Sequence, residues 1–396
     1  MTLFKAKKSR RGLEAAKSDG RVPFHDYTLL FIILALLLFG LIMLYSTTSY
    51  QGQVLNNDSM FYFSNQLRYM IAGGIIMFFA AMFPYSFTKR LAVPVYLASI
   101  VSVLLTLTPL GYSANGATRW LDFKYFNVQP AEIVKAGVIF LTASMIDSLG
   151  HRIATWKGFL LPLAPASLAA LLIWRITRNM SSAIIVMAIV MGMLFVACPY
   201  YKRFIALAAL VGGAGAYWII STVRRAAETG VTADFRGERI LAWLNPQAYA
   251  DDKAYQTLQA LYAIGSGGFF GKGLGQSLQK LGHVPELQND MIFSIICEEL
   301  GLFGAFSLML LYLFLILRFV MIANNTRDLY GALLVIGVLT HIAVQVILNI
   351  AVVTNTIPNT GVTLPFISYG GTSILLLLAE VGVVISVSRG IGIKKT

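Results

Sequence analysis

Ten apolar stretches punctuate the chain, at about 27–48, 69–87, 90–110, 131–148, 158–175, 181–199, 203–222, 290–318, 329–354 and 364–388. Several approach the roughly 20 residues a helix needs to cross about 30 Å of hydrocarbon. Their apolar residues run continuously, without the two-residue alternation of a barrel strand, which excludes an outer-membrane barrel. One polar, Gly-rich loop, about 221–289, interrupts the series. It has too little apolar content for a core of its own and is expected to fold back over the helices. No 20–50-residue repeat of the solenoid kind is visible. The pattern predicts an all-α polytopic membrane protein of about ten transmembrane helices with one large extracytoplasmic loop.

Composition agrees. Of 396 residues, 57% are hydrophobic and 12% are charged, about half the charged share of a soluble domain. The net charge of +13 sits at the ends of apolar runs and forms no stripe, which argues against nucleic acid and for anionic lipid. Cys198 and Cys297 lie inside apolar runs, so neither a disulfide framework nor a metal site is readable. Residues 1–26 read as a basic tail ahead of a retained first helix, since the apolar run is too long for a signal peptide. Residues 27–390 form the transmembrane unit and 391–396 a second short tail. With the N-terminus in the cytoplasm, the basic tail shares its side with Lys89, Arg90, Arg152, Lys157, Lys202, Arg203, Arg318, Arg327 and the C-terminal lysines. Most basic residues on the other side belong to the long loop, which counts little. Both termini are therefore expected in the cytoplasm of a multi-pass cytoplasmic-membrane protein. The weak point is the short stretch 175–181: unless both flanking runs span, the later topology inverts.

Ionisable groups within apolar runs mark candidate sites. In Gln129-Pro130-Ala131-Glu132-Ile133-Val134-Lys135, Pro130 suits a first helical turn, and Glu132 and Lys135 share a face. Either they pair to fix packing, or Lys135 faces an anionic ligand. Arg119 and Trp120 precede that helix; they are ordinary interfacial anchors or, for Arg119, a bidentate phosphate ligand. At the end of the loop, Asp290 opens a long apolar run containing Glu298 and Glu299, as a helix N-cap or as a general base at the membrane surface. His341, Gln345 and Asn349 recur every four residues as a polar stripe, of the kind that usually bonds helices together. Gly265–Gly275 resembles a phosphate-binding loop, but Ser266 and Gly273 break the pattern. Nucleotide binding is rejected, while its glycines allow close backbone approach to a ligand. Arg236, Arg239, Lys272 and Lys280 make the loop locally basic.

Gly116–Leu121, Gln129–Lys135, Gly271–Gly275 with Val284-Pro285-Glu286 and Asp290, and the long run Pro358–Ser373 occur in one order and spacing. Together they resemble the SEDS family (shape, elongation, division and sporulation) over nearly the whole chain. The resemblance implies a peptidoglycan glycosyltransferase that polymerises lipid II, partnered by a class B penicillin-binding protein and other divisome or elongasome membrane proteins. The family's key acid falls on Asp290. Its supporting positions fall on Trp120, Glu132, Lys135 and Arg119, and its motifs bring Lys272, Glu286 and Ser368 into the expected substrate-contacting set. The basic tail and the context of Glu132 lean toward the division branch. In one place the chain departs from the family. Where a Pro-Asp-(Leu/Phe)-Gly-Thr run often heads the sixth helix, Arg178-Asn179-Met180-Ser181-Ser182 stands here, so no role of that acid transfers.

The implied chemistry needs a carboxylate to take the proton of an acceptor sugar hydroxyl, worth about 10²–10⁴-fold, and positive charge for the departing pyrophosphate. Asp290 is expected to be the base, with Lys135 and Arg119 as cations. A divalent ion, magnesium or manganese, is compatible but not required, and no metal ligands are assigned. The rival readings are a lipid II flippase, although no inverted repeat is visible, and a non-catalytic scaffold of the division or elongation machinery.

Overall fold

A computed structural model describes residues 26–114, 117–124, 127–229, 235–250, 254–281 and 287–391. All but Asp26 and Ile391 of the two expected tails, and the segment containing Glu286, lie outside them.

Hydrocarbon offers no partner to a backbone N–H or C=O, so the apolar runs close their hydrogen bonds internally, as helices. These are α1 (Tyr27–Asn56), α2 (Phe61–Met82), α3 (Ser86–Leu105), α4 (Pro130–Leu149), α5 (Trp156–Ile176), α6 (Met180–Ala197) and α7 (Tyr201–Thr229), then α8 (Phe235–Leu244), α9 (Tyr255–Ser266), α10 (Ile292–Asn325), α11 (Leu329–Val353) and α12 (Gly371–Arg389). Nine of them are long and apolar enough to cross a membrane. The tenth expected span, α2, carries Asn65, Gln66 and Arg68 in its first turns. Those polar residues hid its true start, eight residues before the expected one. The last span also moved: residues 364–370 are not helical, and α12 begins only at Gly371. Pro365 has no N–H to offer a helix there.

On α1 the split between neighbours and lipid is plain. Leu29, Ile32, Ile33, Leu36, Leu37 and Gly40 are buried, while Phe31, Leu34, Leu38 and Ile42 are exposed. Gly40 lets the 364–368 turn into the bundle, because a Cβ there would meet the carbonyl of Phe366. Tyr312 Oη donates to the carbonyl of Pro365 at 2.5 Å and holds the turn from α10. Helix α7 is the exception: its apolar window is not buried at all.

The turns sort onto two sides. On one, Arg318 pairs with Asp26 at 2.8 Å, Tyr85 donates to Asp328 at 2.6 Å, Arg389 to the carbonyl of Ala81, Lys89 pairs with Asp147, and Arg203 donates to the carbonyl of Ala154. On the other, Ser181 donates to the carbonyl of Thr360 at 2.7 Å, Thr372 to that of Asn127, and Asn349 to that of Asp290. The 177–180 turn thus belongs to the Asp290 side, and both flanking runs cross. Asn179 caps α6 by accepting from Ser182 N at 3.0 Å, so the chain's departure from the family pattern still starts the helix.

Two features escaped the hydropathy pattern. A three-stranded antiparallel sheet, β1 (Gly111–Ala114), β2 (Ala117–Asp122) and β3 (Asn127–Val128), sits between α3 and α4. The long loop, which starts later than expected because α7 runs on to Thr229, contains α8 and α9. As expected, it folds back: α9 packs on α10, and Trp243 of α8 donates to the carbonyl of Asn355 at 2.9 Å.

Candidate active site

Asp290 lies just ahead of α10 and is 8% exposed. The cap of that helix is Met291, which makes no side-chain cap bond, so helix capping does not describe Asp290. Its backbone is pinned from two directions. Asn349 Nδ2 donates to the carbonyls of Asp290 at 2.8 Å and Val362 at 2.7 Å, and Tyr369 N donates to the carbonyl of Gln288 at 2.7 Å. The carboxylate Oδ1 accepts from Gln256 Nε2 at 3.3 Å, and Gln256 Oε1 accepts from Asn359 Nδ2 at 2.9 Å. A chain of amides therefore links Asp290 to α9 and to the 355–361 turn.

The guanidinium of Arg239 lies in the field of Asp290, and that of Arg119 lies near Arg239. Arg119 sits at a bulge in β2: Trp120 pairs with Tyr112 and Thr118 with Ser113, which leaves Arg119 as the extra residue. A bulge re-aims a side chain out of the regular alternation. Arg119 and Trp120 are both half-buried. Arg119 Nε is buried without a hydrogen-bond partner, and burial pulls the group below the usual arginine range. Arg239 of α8 donates to the carbonyl of Asn359 at 3.2 Å. Burial lowers it too, Arg119 lowers it further, and the Asp290 carboxylate pulls it back up. Arg239 thus stands between a second cation, Arg119, and the Asp290 anion, partly dry, where charges act on each other more strongly than in water.

The Glu132–Lys135 pair exists, at 2.6 Å. Lys135 is 1% exposed and also donates to Gln345 Oε1 at 3.2 Å, so in this conformation it faces its neighbours. Gln345 continues to Thr363, one helical turn from Asn349, and His341 bonds Glu380 at 2.8 Å. The polar stripe of α11 is interhelical glue, and it runs from Lys135 toward Asp290.

Lys272 and Ser368 are placed elsewhere. Ser368 is buried; its hydroxyl accepts from Leu364 N at 2.8 Å and closes the 364–368 turn. Lys272 pairs with Glu298 at 2.6 Å. Ser277 also bonds Glu298, while Lys280 and Ser46 hold Glu299 at 2.9 and 2.6 Å. The glycine run around Lys272 meets backbone instead of a ligand. Gly301 breaks α10 with φ 65, which exposes carbonyls that need partners. Lys272 N and Gly273 N donate to the carbonyls of Glu298 and Glu299, both at 2.9 Å. Gly271, at φ 79, and Gly301 approach so closely that a Cβ on either would collide with the other segment.

Sequence reasoning saw Arg239 only as one basic residue among several, and it missed Gln256 and Asn359 altogether. The available signal was the amphipathic pattern of α9, whose Leu258, Ala260 and Ala263 are buried; it would have placed a helix, and Gln256 with it, against the core. Among the described residues, no three His, Cys, Asp or Glu side chains converge as metal ligands. One carboxylate in the field of a guanidinium group is a poor cation cage.

The profile of the Cell cycle protein family, which joins FtsW, RodA and SpoVE, matches residues 27–391. The chain belongs to that family. It is 35% identical to Stage V sporulation protein E of Bacillus subtilis, over 92% of this chain and 97% of the relative. It is 32% identical to the probable peptidoglycan glycosyltransferase FtsW of Trichlorobacter lovleyi, over 96% and 97%. Among solved structures, a chain from "Structural coordination of polymerization and crosslinking by a peptidoglycan synthase complex" shares the fold with a TM-score of 0.73 at 24% identity, covering 92% of this chain and 98% of that one. Thermus thermophilus Rod shape determining protein RodA does so with a TM-score of 0.64, also at 24% identity, over 92% and 97%.

Proposed function

We propose that this chain is a peptidoglycan glycosyltransferase that polymerises lipid II at the outer face of the cytoplasmic membrane, with Asp290 as general base. The curated FtsW relatives carry that activity in their names. The observation that carries the assignment to Asp290 is its setting: a nearly buried carboxylate in the field of Arg239, reached through Gln256 from an open pocket.

The acceptor's sugar hydroxyl attacks C1 of the donor sugar from the side opposite the pyrophosphate. The new C1–O bond forms as the C1–O bond to pyrophosphate breaks, the hydroxyl proton passes to Asp290, and the bonding pair leaves on the pyrophosphate. One displacement inverts C1. Arg119 supplies positive charge to the leaving group, while Arg239 lies in the field of the Asp290 carboxylate. Both termini lie in the cytoplasm, as the Lys/Arg placement requires. The partner is a class B penicillin-binding protein, and the division machinery is the setting; the synthase-complex neighbour supports a transpeptidase partner.

The test is polymerisation of fluorescent lipid II by purified protein, with and without the transpeptidase. Asp290→Asn preserves shape but is a far weaker proton acceptor, and should fold, bind its partner and lose about 10²-fold or more in rate. Glycan synthesis near the wild-type rate by that variant sinks the assignment and favours a flippase or scaffold.

A further inference from the structure

Between α8, α9 and the 355–359 turn lies an open pocket of about 140 Å³. A single water needs only about 10–15 Å³ of such space, whereas pockets for drug-sized ligands run to about 300–1,000 Å³. This one suits a single ring. Its polar wall is Arg239, Trp243, Gln256, Thr257, Asn355 and Asn359.

The chemistry of that wall is selective. Primary amides both donate and accept, which suits hydroxyl and acetamido groups that do the same. An indole presents a broad apolar body with one polar edge, and the edge of Trp243 is engaged with the carbonyl of Asn355 at 2.9 Å. Among the described residues Arg239 is the one charged side chain in the lining, and the nearby Asp290 carboxylate favours and offsets its charge. A phosphate site would gather several cations, and a lipid-tail site would lack the amides. A neutral, hydroxylated ring with an amide substituent satisfies the wall best.

Position adds the rest. Gln256 lines the pocket and donates to Asp290 Oδ1 at 3.3 Å, so a ring seated there is one side chain from the carboxylate. Asn359, also in the wall, holds the other end of that amide. Occupation of the pocket and orientation of the base are therefore mechanically linked.

We propose that this pocket is the seat of the acceptor sugar: an N-acetylated hexosamine ring held by Trp243, Asn355 and Asn359, its free hydroxyl directed past Gln256 toward Asp290. This rests on the polymerase reading, which supplies a sugar acceptor, and it adds where that acceptor binds and which residues select it.

The test uses the full chain labelled with fluorotryptophan, whose five tryptophans give five fluorine lines. The line missing from Trp243→Phe identifies Trp243. The probe is the soluble disaccharide of N-acetylglucosamine, titrated beside inorganic pyrophosphate. The expected result is saturable movement of the Trp243 line with the disaccharide and not with pyrophosphate, in wild type and equally in Asp290→Asn. Movement with pyrophosphate alone, or no movement at the solubility limit of the sugar, overturns the proposal. In polymerisation, Trp243→Phe should need about tenfold more lipid II for half-maximal rate. The two readings fail separately. An active Asp290→Asn removes the catalytic assignment and leaves the titration standing, whereas an unmoved Trp243 line removes the acceptor seat and leaves Asp290 untouched.

Discussion

Two acidic centres stand eight residues apart in the chain and are built to opposite ends. Glu298 and Glu299 are wholly buried, and each is held by a lysine and a serine. Asp290 is nearly as buried, yet its carboxylate is met by a neutral amide that lines a pocket, and it sits in the field of Arg239. Burial and charge alone do not mark a reactive group. The Glu298–Glu299 knot satisfies its lone pairs with fixed internal donors and has nothing left to offer a substrate. The Asp290 site surrounds one carboxylate with groups that admit a ligand.

The largest effect expected to break this comparison is catalytic. Asp290→Asn should cost about 10²-fold or more in polymerisation with the fold intact. Glu298→Gln should act in reverse, through the fold: a protein less stable in detergent, whose surviving folded fraction polymerises at a rate close to wild type per molecule. An inactive, fully stable Glu298→Gln would make the knot part of the chemistry.

The next effect sharpens the structural half. Lys280 is 7% exposed and pairs with Glu299 at 2.9 Å. Lys280→Met leaves a buried carboxylate without its cation and should cost about 3–5 kcal/mol in stability. Adding Glu299→Gln removes the stranded charge and should return most of that loss. Thermal unfolding of the two variants in the same detergent makes the check, and a double variant no more stable than the single would mean the knot is not a local pair.

How much of this was legible in the sequence follows from what each feature depends on. Nine of the ten expected crossings were readable among the described residues because hydrocarbon imposes length and apolarity directly. Ends were misplaced where polar residues sit inside a helix, as Gln66 and Arg68 do in α2, or where apolar residues sit outside one, as Leu364–Ile367 do before α12. Glu132 and Lys135 were readable as a pair because their spacing is local. The partners of Asp290 were not, since Gln256 and Asn359 meet only when the long loop folds back, and no local spacing encodes that contact. Lys272 shows the converse: its glycine setting suggests a ligand, but the break at Gly301, whose exposed carbonyls the glycine run covers, could not be foreseen.

A smaller effect tests how Asp290 is held. Asn349 donates to two backbone carbonyls, those of Asp290 and Val362. Asn349→Leu keeps similar bulk and removes both bonds, leaving two buried acceptors short, at a cost of about 1–3 kcal/mol. Because one acceptor belongs to Asp290 itself, polymerisation should fall by more than the stability loss alone explains. A stability loss with an unchanged rate per folded molecule would mean that the stripe of α11 braces the bundle without setting the carboxylate.

The smallest effect is expected on neutralising Glu132 and Lys135 together, where the comparison is hardest to see because the pair resembles the knot yet lies along the polar path to Asp290. Lys135→Ala alone strands Glu132, whose remaining partner is Ser373 at 3.4 Å, and should cost about 3–5 kcal/mol. Glu132→Gln with Lys135→Met removes both charges in groups of similar size. Since a buried ion pair is often no more stable than its neutral replacement, that double variant should unfold within about 1 kcal/mol of wild type. If it matches wild type in stability, its activity becomes interpretable. Polymerisation near the wild-type rate places the pair with Glu298 and Glu299, as packing. A stable double variant that has lost polymerisation would mean that the pair opens during turnover and Lys135 reaches the substrate's phosphates, and the division between closed and open charge would then fall at α10 rather than at α4.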